Sequence, residues 1–168
     1  MTNFLTIFEL RILIMKQRIY IDTSIVGGYV DEEFKEATIK LFNSLENDEI
    51  KFVISDLLDL ELLNALPQVK EHLLKYSADK FERVELTEEA VKLADTYINA
   101  KVVGRTSLED CRHIAIATIN KVDVLVSWNF KHIVNLNKIK GCNSVNLRLG
   151  YSIIEIRSPK DLVNYGDD

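Results

Sequence analysis

"RIYID", at residues 18–22, is the stretch that decides the fold, because it combines β-branched and aromatic residues and ends in an acid. Such a run predicts a buried β-strand. Similar runs recur along the chain at "KFVIS" (51–55), "FERVEL" (81–86), "VDVLVS" (122–127) and "YSIIEI" (151–156). The second and the fourth of the five runs are almost continuously apolar, which is typical of strands covered by helices on both faces.

Helical patterns fill the intervals between these strands. They cover residues 31–48, 55–66, 87–100 and 107–121. Ser55, Thr87 and Ser107 each stand at the start of a pattern, where a hydroxyl can cap the first turn. Strands that alternate with helices predict βαβ units, a parallel sheet and an α/β fold. In such a sheet the ligand crevice lies beyond the carboxyl ends of the strands.

Length and composition favour one domain. A chain of 168 residues with 47% hydrophobic content can build one core and is short for two. We therefore predict a single domain over residues 15–168 and an N-terminal extension of uncertain status over residues 1–14. The extension is apolar, but Glu9 and Arg11 interrupt it, so it predicts neither a signal peptide nor a membrane span. Two explanations stay open: these residues result from a start codon upstream of Met15, or they form a short extra helix or strand.

The cysteines and the net charge narrow the class of protein. Cys111 and Cys142 match no zinc or redox spacing, which indicates small apolar residues in a reduced, cytoplasmic protein. The formal net charge is −5 at pH 7. A protein that bound nucleic acid by phosphate neutralisation alone would be basic. If this chain acts on nucleic acid, a metal ion held by carboxylates would have to attract the phosphate.

Three acids stand where parallel strands would bring them together. Asp22 ends the first strand, Glu61 lies on the helix after the second, and Asp110 starts the helix before the fourth. If the first strand is central, the three carboxylates share one crevice and repel each other unless a cation joins them. Such oxygen ligands suit Mg²⁺ or Mn²⁺, and these ions assist phosphodiester hydrolysis.

Each of these acids also has a simpler interpretation. Asp22 could cap the next helix, Glu61 could face solvent, and Asp110 could merely complement the helix dipole. His113 lies three residues after Asp110 on the same helix face. A single histidine on an apolar helix is more typical of a packed, hydrogen-bonded residue than of a metal ligand.

Four segments, in this order, resemble the PIN-domain ribonucleases, and in particular the VapC-type toxins of toxin–antitoxin pairs. They are "YIDTS", "ISDLLDLELLNA", "EDCRHIAIA" and "LVSWN", and the resemblance covers about residues 16–160. It implies a three-layer α/β/α fold with a central, mainly parallel five-stranded sheet. It also implies an endoribonuclease that depends on Mg²⁺ or Mn²⁺, acts on RNA, forms a homodimer, is neutralised by a cognate antitoxin and does not enter a membrane.

The resemblance implies a role for each acid. Asp22, Glu61 and Asp110 take the positions of the first three family acids, which are catalytic and bind the metal. The fourth position, usually an aspartate, falls on Asn129. Asp123 opens the fourth strand and should lie at the opposite edge of the sheet, so it does not replace that acid. An amide offers one carbonyl oxygen and less negative charge, which favours one metal ion over two and puts full activity in question.

Four further residues near the crevice are predicted to bind substrate. They are Thr23, Ser127, Lys131 and His132. Lys131 could meet the scissile phosphate as a point charge, and His132 could hydrogen-bond it or assist the leaving group. The alternative for Lys131 and His132 is a solvated helix start. Trp128 is interpreted as a packing residue, with base stacking as the alternative.

Two other kinds of protein are compatible with parts of the pattern. Asn129 would suit a PIN-like RNA-binding or protein-interaction module that has lost catalysis. A response-regulator-like receiver also uses acids at strand ends, but the strand at residues 51–55 ends in serine where that fold needs an aspartate.

Overall fold

The computed structural model describes residues 16–163. The predicted N-terminal extension, residues 1–14, lies outside the described residues. Within them, no helix is long and apolar enough to cross a membrane.

A five-stranded sheet forms the centre of the structure. Its strands are β1 (Gln17–Ile21), β2 (Ile50–Ser55), β3 (Phe81–Val84), β4 (Val124–Val126) and β5 (Ile156–Arg157). Their order is β3-β2-β1-β4-β5, and every neighbouring pair is parallel. The α/β prediction is therefore confirmed, and β1 is central, as the convergence of the three acids requires.

Helices cover both faces of the sheet. They are α1 (Thr23–Gly27), α2 (Lys35–Glu46), α3 (Asp56–Leu62), α4 (Pro67–Leu73), α5 (Glu88–Asn99), α6 (Leu108–Ile119), α7 (Leu136–Arg148) and α8 (Pro159–Val163). Short 3₁₀ turns at Ala78–Lys80 and Arg105–Ser107 precede β3 and α6.

Alternating side chains of β1 divide the core into two layers. Ile19 and Ile21 pack in one apolar cluster, whereas Tyr20 between them packs in the other. Because successive strand residues point to opposite faces, each cluster lies between the sheet and one layer of helices. This arrangement gives the predicted three layers. Cys111 and Cys142 are fully buried in the Tyr20 cluster, as expected of small apolar residues.

Several predicted elements are shorter in the structure, and two of them show why. The predicted strand at 151–156 is wrong in extent, since only Ile156–Arg157 pairs in the sheet. Asn143 explains the difference. Its side chain donates to the backbone carbonyl of Ile154 (3.1 Å) and accepts from the backbone amide of Ile154 (2.8 Å). These two bonds replace those that a neighbouring strand would make. The helix predicted at 55–66 ends at Leu62, because the residue before Pro67 is extended and a new helix begins there.

Gly28 gives the first testable prediction. A Cβ at this position would lie 2.6 Å from Nε1 of Trp128 and 2.7 Å from Oγ1 of Thr38, two atoms that form a hydrogen bond with each other. We expect Gly28→Ala to destabilise the protein by about 1–3 kcal/mol in chemical unfolding, because the buried indole has to move. Gly27→Ala is the matched control, since its Cβ would meet nothing within 4 Å. Equal stability of the two variants would contradict this packing.

His72 on α4 gives a second prediction, on pH and stability. Its buried ring stacks on Tyr29 with centroids 3.8 Å apart, and neither ring nitrogen has a hydrogen-bond partner among the described residues. Burial, together with the charge of Lys75, lowers the pKa of His72 from 6.5 to about 4. Between these values the unfolded chain binds the proton and the folded chain does not, so folding weakens as the pH falls.

We expect the free energy of unfolding to drop by roughly 1–3 kcal/mol between pH 6.5 and pH 4 because of His72. His72→Phe should remove this part of the pH dependence while keeping the aromatic stack. Urea unfolding of both proteins across this range measures the difference. Parallel pH profiles of the two proteins would contradict the prediction, because they would show that His72 binds protons equally well in the folded and the unfolded chain.

Candidate active site

Asp22 lies at the carboxyl end of the central strand and is the most buried acid of the predicted site. Only 4% of it is exposed. Oδ1 accepts hydrogen bonds from Ser24 Oγ (2.6 Å) and the Ile25 amide (3.4 Å), and Oδ2 accepts one from Ser127 Oγ (2.6 Å). Asp22 therefore caps α1, as the simpler interpretation predicted, and also faces the end of β4 through Ser127.

A short row of hydrogen bonds connects Asp22 to Asp110. Ser127 Oγ, which donates to Asp22, accepts from the amide of Asn129 at 2.9 Å. The Asn129 side chain donates from Nδ2 to Asp110 Oδ1 at 2.9 Å and accepts at Oδ1 from the amide of His132 at 3.0 Å. The structure thus brings Asp22, Asp110 and Asn129 together. The side-chain amide of Asn129 donates a hydrogen bond to Asp110, which an ionised carboxylate at this position could not do.

Glu61 is held differently. Its Oε2 accepts from the hydroxyl of Thr23 and lies 3.1 Å from Nε2 of His113. Nδ1 of His113 lies 2.7 Å from the hydroxyl of Tyr20. The packed, hydrogen-bonded interpretation of His113 is confirmed. Glu61 does not face solvent freely, because two side chains bind the same oxygen.

The charges of the three acids are not equally compensated. Burial raises the pKa of Asp22, although the nearby His113 and hydrogen bonds from Ser127 and Ser24 oppose the increase. Burial also raises the pKa of Asp110; His132 opposes this increase, and the nearby negative charge of Asp22 adds to it. Burial acts on Glu61 in the same direction, but His113 and Thr23 outweigh it and leave its pKa below the ordinary value. Asp22 and Asp110 are therefore the two acids whose ionised form burial disfavours, and the neighbouring histidines compensate this only in part.

The donor atoms suit a hard cation, but as they stand they do not form a complete metal site. Among residues 16–163, no three His, Cys, Asp or Glu side chains are grouped closely enough to hold a metal ion. Asp22 and Asp110 supply carboxylate oxygens, and Glu61 Oε2 is bound to His113. Asn129 turns its side-chain nitrogen to Asp110, while its side-chain oxygen accepts from the His132 amide. Two carboxylates with raised pKa values that influence each other fit a divalent cation that would neutralise both.

The predicted substrate-binding residues fall into two groups. The hydroxyls of Thr23 and Ser127 bind Glu61 and Asp22, so they support the acids directly. Lys131 is exposed, and His132 is half-buried, with Nδ1 3.0 Å from Ser107 Oγ. Ser107 therefore bonds His132 instead of capping α6. Contact of these four residues with a substrate stays a prediction.

The aromatic residues after β4 differ in exposure. Trp128 is buried, stacks on Phe34 with centroids 4.4 Å apart and donates from Nε1 to Thr38, so the packing interpretation is confirmed. Phe130 is 47% exposed, and solvent reaches its ring beside Asn129.

Asp123 lies away from the candidate site. It accepts from the Arg18 amide (2.7 Å) at the start of β1, at the opposite end from Asp22, as predicted.

Sequence reasoning missed two residues that support the site. Ser24 donates to Asp22 and accepts from the Trp128 amide at 2.8 Å, which ties the ends of β1 and β4 together. Its place two residues after an acid at a strand end is visible in the sequence, but that spacing does not indicate a contact with β4. Tyr20 carries no such signal, since a tyrosine within a buried strand normally indicates only packing.

Comparisons with known proteins locate this fold among solved structures. No protein-family model matches the chain, and no curated protein sequence matches it. A chain in the crystal structure of VapBC2 from Rickettsia felis, bound to a promoter DNA fragment, has a TM-score of 0.53 and 14% identity. That match covers 84% of this chain and 98% of the other.

Two further structures agree. A chain of DNA-bound VapBC from Salmonella typhimurium has a TM-score of 0.53, 16% identity and coverage of 86% of this chain and 99% of that one. A chain of FitAB bound to the IR36 DNA fragment has a TM-score of 0.54, 13% identity and coverage of 84% and 94%. At these identities the likeness concerns the fold. This chain therefore has a PIN-like fold, which it shares with chains of VapBC and FitAB complexes, as its resemblance to VapC-type toxins implies.

Proposed function

We propose that this protein is a Mg²⁺- or Mn²⁺-dependent endoribonuclease and the toxin of a toxin–antitoxin pair. One observation carries the proposal: Asp22 and Asp110 are joined through Ser127 and Asn129 at the carboxyl ends of parallel strands, and burial raises both pKa values. Such a pair costs stability unless a cation neutralises it, so its presence indicates a functional role. The fold shared with VapBC and FitAB chains supports this reading.

Each residue of the crevice has a defined task in this proposal. Asp22 and Asp110 would hold the ion, and Asn129 would fix Asp110 through its side-chain nitrogen. When bound, the ion would supply positive charge to the scissile phosphate and make water a stronger nucleophile. Glu61, whose pKa lies below its ordinary value, would be the third ligand of the ion and would orient the attacking water.

The residues after β4 would contact the RNA. The exposed ammonium group of Lys131 can approach a phosphate, and the Phe130 ring, 47% exposed, can stack on a base. His132 can donate to a phosphate oxygen from the ring nitrogen that does not face Ser107. Because the net charge is −5, we expect RNA binding to depend strongly on the divalent ion.

RNA cleavage tests this function. The full chain is incubated with mixed RNA and with Mg²⁺, Mn²⁺ or a chelator, beside Asp110→Asn and Asp123→Asn. The second variant is the matched control, because Asp123 lies at the opposite end of β1 and β4. We expect cleavage by the unchanged protein and by Asp123→Asn, only with metal, and none by Asp110→Asn. Equal cleavage by all three proteins would contradict the proposal.

A second candidate function is favoured by one specific observation. The Asn129 amide donates to Asp110 Oδ1 and so occupies an oxygen that a metal would need. A PIN-like module that binds RNA or protein without catalysis would tolerate this arrangement. Saturable RNA binding in the presence of a chelator, with no cleavage under any metal condition, would favour the module over the enzyme.

The proposed partner is a cognate antitoxin protein. VapBC and FitAB are complexes, and their chains share the fold of this protein. We extend the proposal to a homodimer in the cytoplasm that the antitoxin neutralises. Expression of this chain should arrest growth, and co-expression of the small protein encoded next to it should restore growth. Growth arrest that no neighbouring gene relieves would argue against the pairing.

A further inference from the structure

A row of hydrogen bonds behind the crevice ends on Glu61. The Tyr20 hydroxyl lies 2.8 Å from Ser55 Oγ and 2.7 Å from His113 Nδ1, and His113 Nε2 lies 3.1 Å from Glu61 Oε2. We call these four residues, Ser55, Tyr20, His113 and Glu61, the Glu61 relay. It connects β2, β1, α6 and α3, which are distant in sequence and adjacent in the fold.

The Ser55–Tyr20 and Tyr20–His113 hydrogen bonds of the relay could each run in either direction. Only one choice of donors gives the hydroxyl hydrogens of both Ser55 and Tyr20 an acceptor within the relay. The Leu58 amide donates to Ser55 Oγ at 3.3 Å, and the Ser55 hydroxyl then donates to Tyr20. Tyr20 donates to Nδ1 of His113, which leaves Nε2 to donate to Glu61. The reverse direction would leave the hydrogen of a fully buried serine without an acceptor in the relay, which costs free energy.

The relay has a fixed inner part and an open outer end. Ser55 and Tyr20 are fully buried and His113 is 2% exposed, whereas the Glu61 side chain is 29% exposed. Within residues 16–163, the hydrogen bonds to Glu61 reach only Oε2, and Oε1 remains outside the relay. The buried imidazole can therefore fix the direction of a carboxylate that borders the crevice.

We infer that His113 is a positioning residue that donates from Nε2 to Glu61 and holds this third acid ready for the metal ion, an inference that rests on the proposed function. Without that donor, Thr23 alone would bind the incompletely buried Glu61 carboxylate, which would then have more rotational freedom. The cost of ordering it would weaken metal binding. Neighbours that orient a ligand commonly contribute about tenfold to hundredfold in metal affinity.

Two substitutions at His113 test whether the donor must lie at the position of Nε2. Both supply an amide donor, but at different distances from the backbone. Glutamine places its amide nitrogen near the position of Nε2, whereas the shorter asparagine reaches only the position of Nδ1. Calorimetric titration of the full chain with Mn²⁺ measures the dissociation constant. We expect it to rise about tenfold for His113→Asn and less than about threefold for His113→Gln.

A measurement without metal tests the hydrogen bond itself. NMR of the imidazole nitrogens should show a proton on Nε2 of His113, assigned by the loss of its signals in His113→Gln. Tyr20→Phe provides a second variant if His113→Asn fails to fold. It removes the group that fixes the ring on its other side, and we expect weaker Mn²⁺ binding in a protein of unchanged secondary structure.

The outcomes distinguish this inference from the proposed function. Mn²⁺ binding that is weakened in His113→Asn and retained in His113→Gln supports the positioning role. Equal binding by both variants and the unchanged protein, equal weakening of both, or an unprotonated Nε2 would overturn it while the proposed function stands. Absence of saturable Mn²⁺ binding in the unchanged protein would overturn the proposed function and, with it, this inference.

Discussion

Asp22→Asn is expected to lower metal-dependent RNA cleavage about a thousandfold without lowering the stability of the protein. The loss of activity follows from the loss of one charged ligand, since a catalytic metal ion contributes several kcal/mol to the reaction. The effect on stability has the opposite sign, because Asp22 is 4% exposed and burial raises its pKa. Above the ordinary pKa of 3.8, ionising this buried acid costs folding free energy, and an asparagine does not ionise.

In the Asp22→Asn variant, the side-chain amide can keep most of the hydrogen bonds that the Asp22 carboxylate makes. Its oxygen can accept from Ser24 and Ile25, and its nitrogen can donate to Ser127. Single-turnover cleavage and thermal unfolding in a chelator measure the two effects on the same preparation, with Asp123→Asn as control. A variant that is both inactive and much less stable would show that Asp22 is a structural residue. Cleavage at the normal rate would remove it from the active site.

Asn129→Asp is the second substitution with a large expected effect. The Asn129 amide donates to Asp110 at 2.9 Å, and a carboxylate there would face another carboxylate instead. We expect the metal-free variant to be about 1–3 kcal/mol less stable, because a hydrogen bond becomes a repulsion. Mn²⁺ should restore stability and bind about tenfold more tightly than in the unchanged protein, because charge count tunes the affinity of such sites.

Thermal unfolding with Mn²⁺ and with a chelator measures this effect. Asn135→Asp is a matched control, because it changes the charge equally and keeps an acceptor for the Lys138 amide at the start of α7. The increase in melting temperature on adding Mn²⁺ should be larger for Asn129→Asp than for either other protein. An increase of the same size in all three would show that residue 129 does not border the ion.

Much of this fold could be predicted from strand composition. Residues 19–21 of β1, residues 52–54 of β2 and all of β4 are buried, and their apolar runs were visible without a structure. β5 was predicted too long because Ile154 is buried although it lies before the strand, where Asn143 bonds its backbone. An apolar run therefore shows burial, and it does not show which partner satisfies the backbone.

The candidate site was predictable to a similar degree. Asp22 and Asp110 could be placed near each other because parallel strands end at one edge of the sheet. The partner of Glu61 could not be predicted, because the distance between α3 and α6 depends on how both helices pack. His113 was correctly interpreted as packed, but no spacing in the sequence connects it with residue 61. Ser24 and Tyr20 escaped for the same reason, since their partners lie on other elements.

The central claim is that Asp22 and Asp110 together bind a divalent cation. Calorimetric titration of the metal-free protein with Mn²⁺, beside Asp22→Asn, tests it most directly. We predict saturable binding to the unchanged protein, with a stoichiometry of about one because residue 129 is a neutral amide, and loss of that binding in the variant. No saturable heat at millimolar Mn²⁺, or the same binding isotherm for both proteins, would contradict the claim.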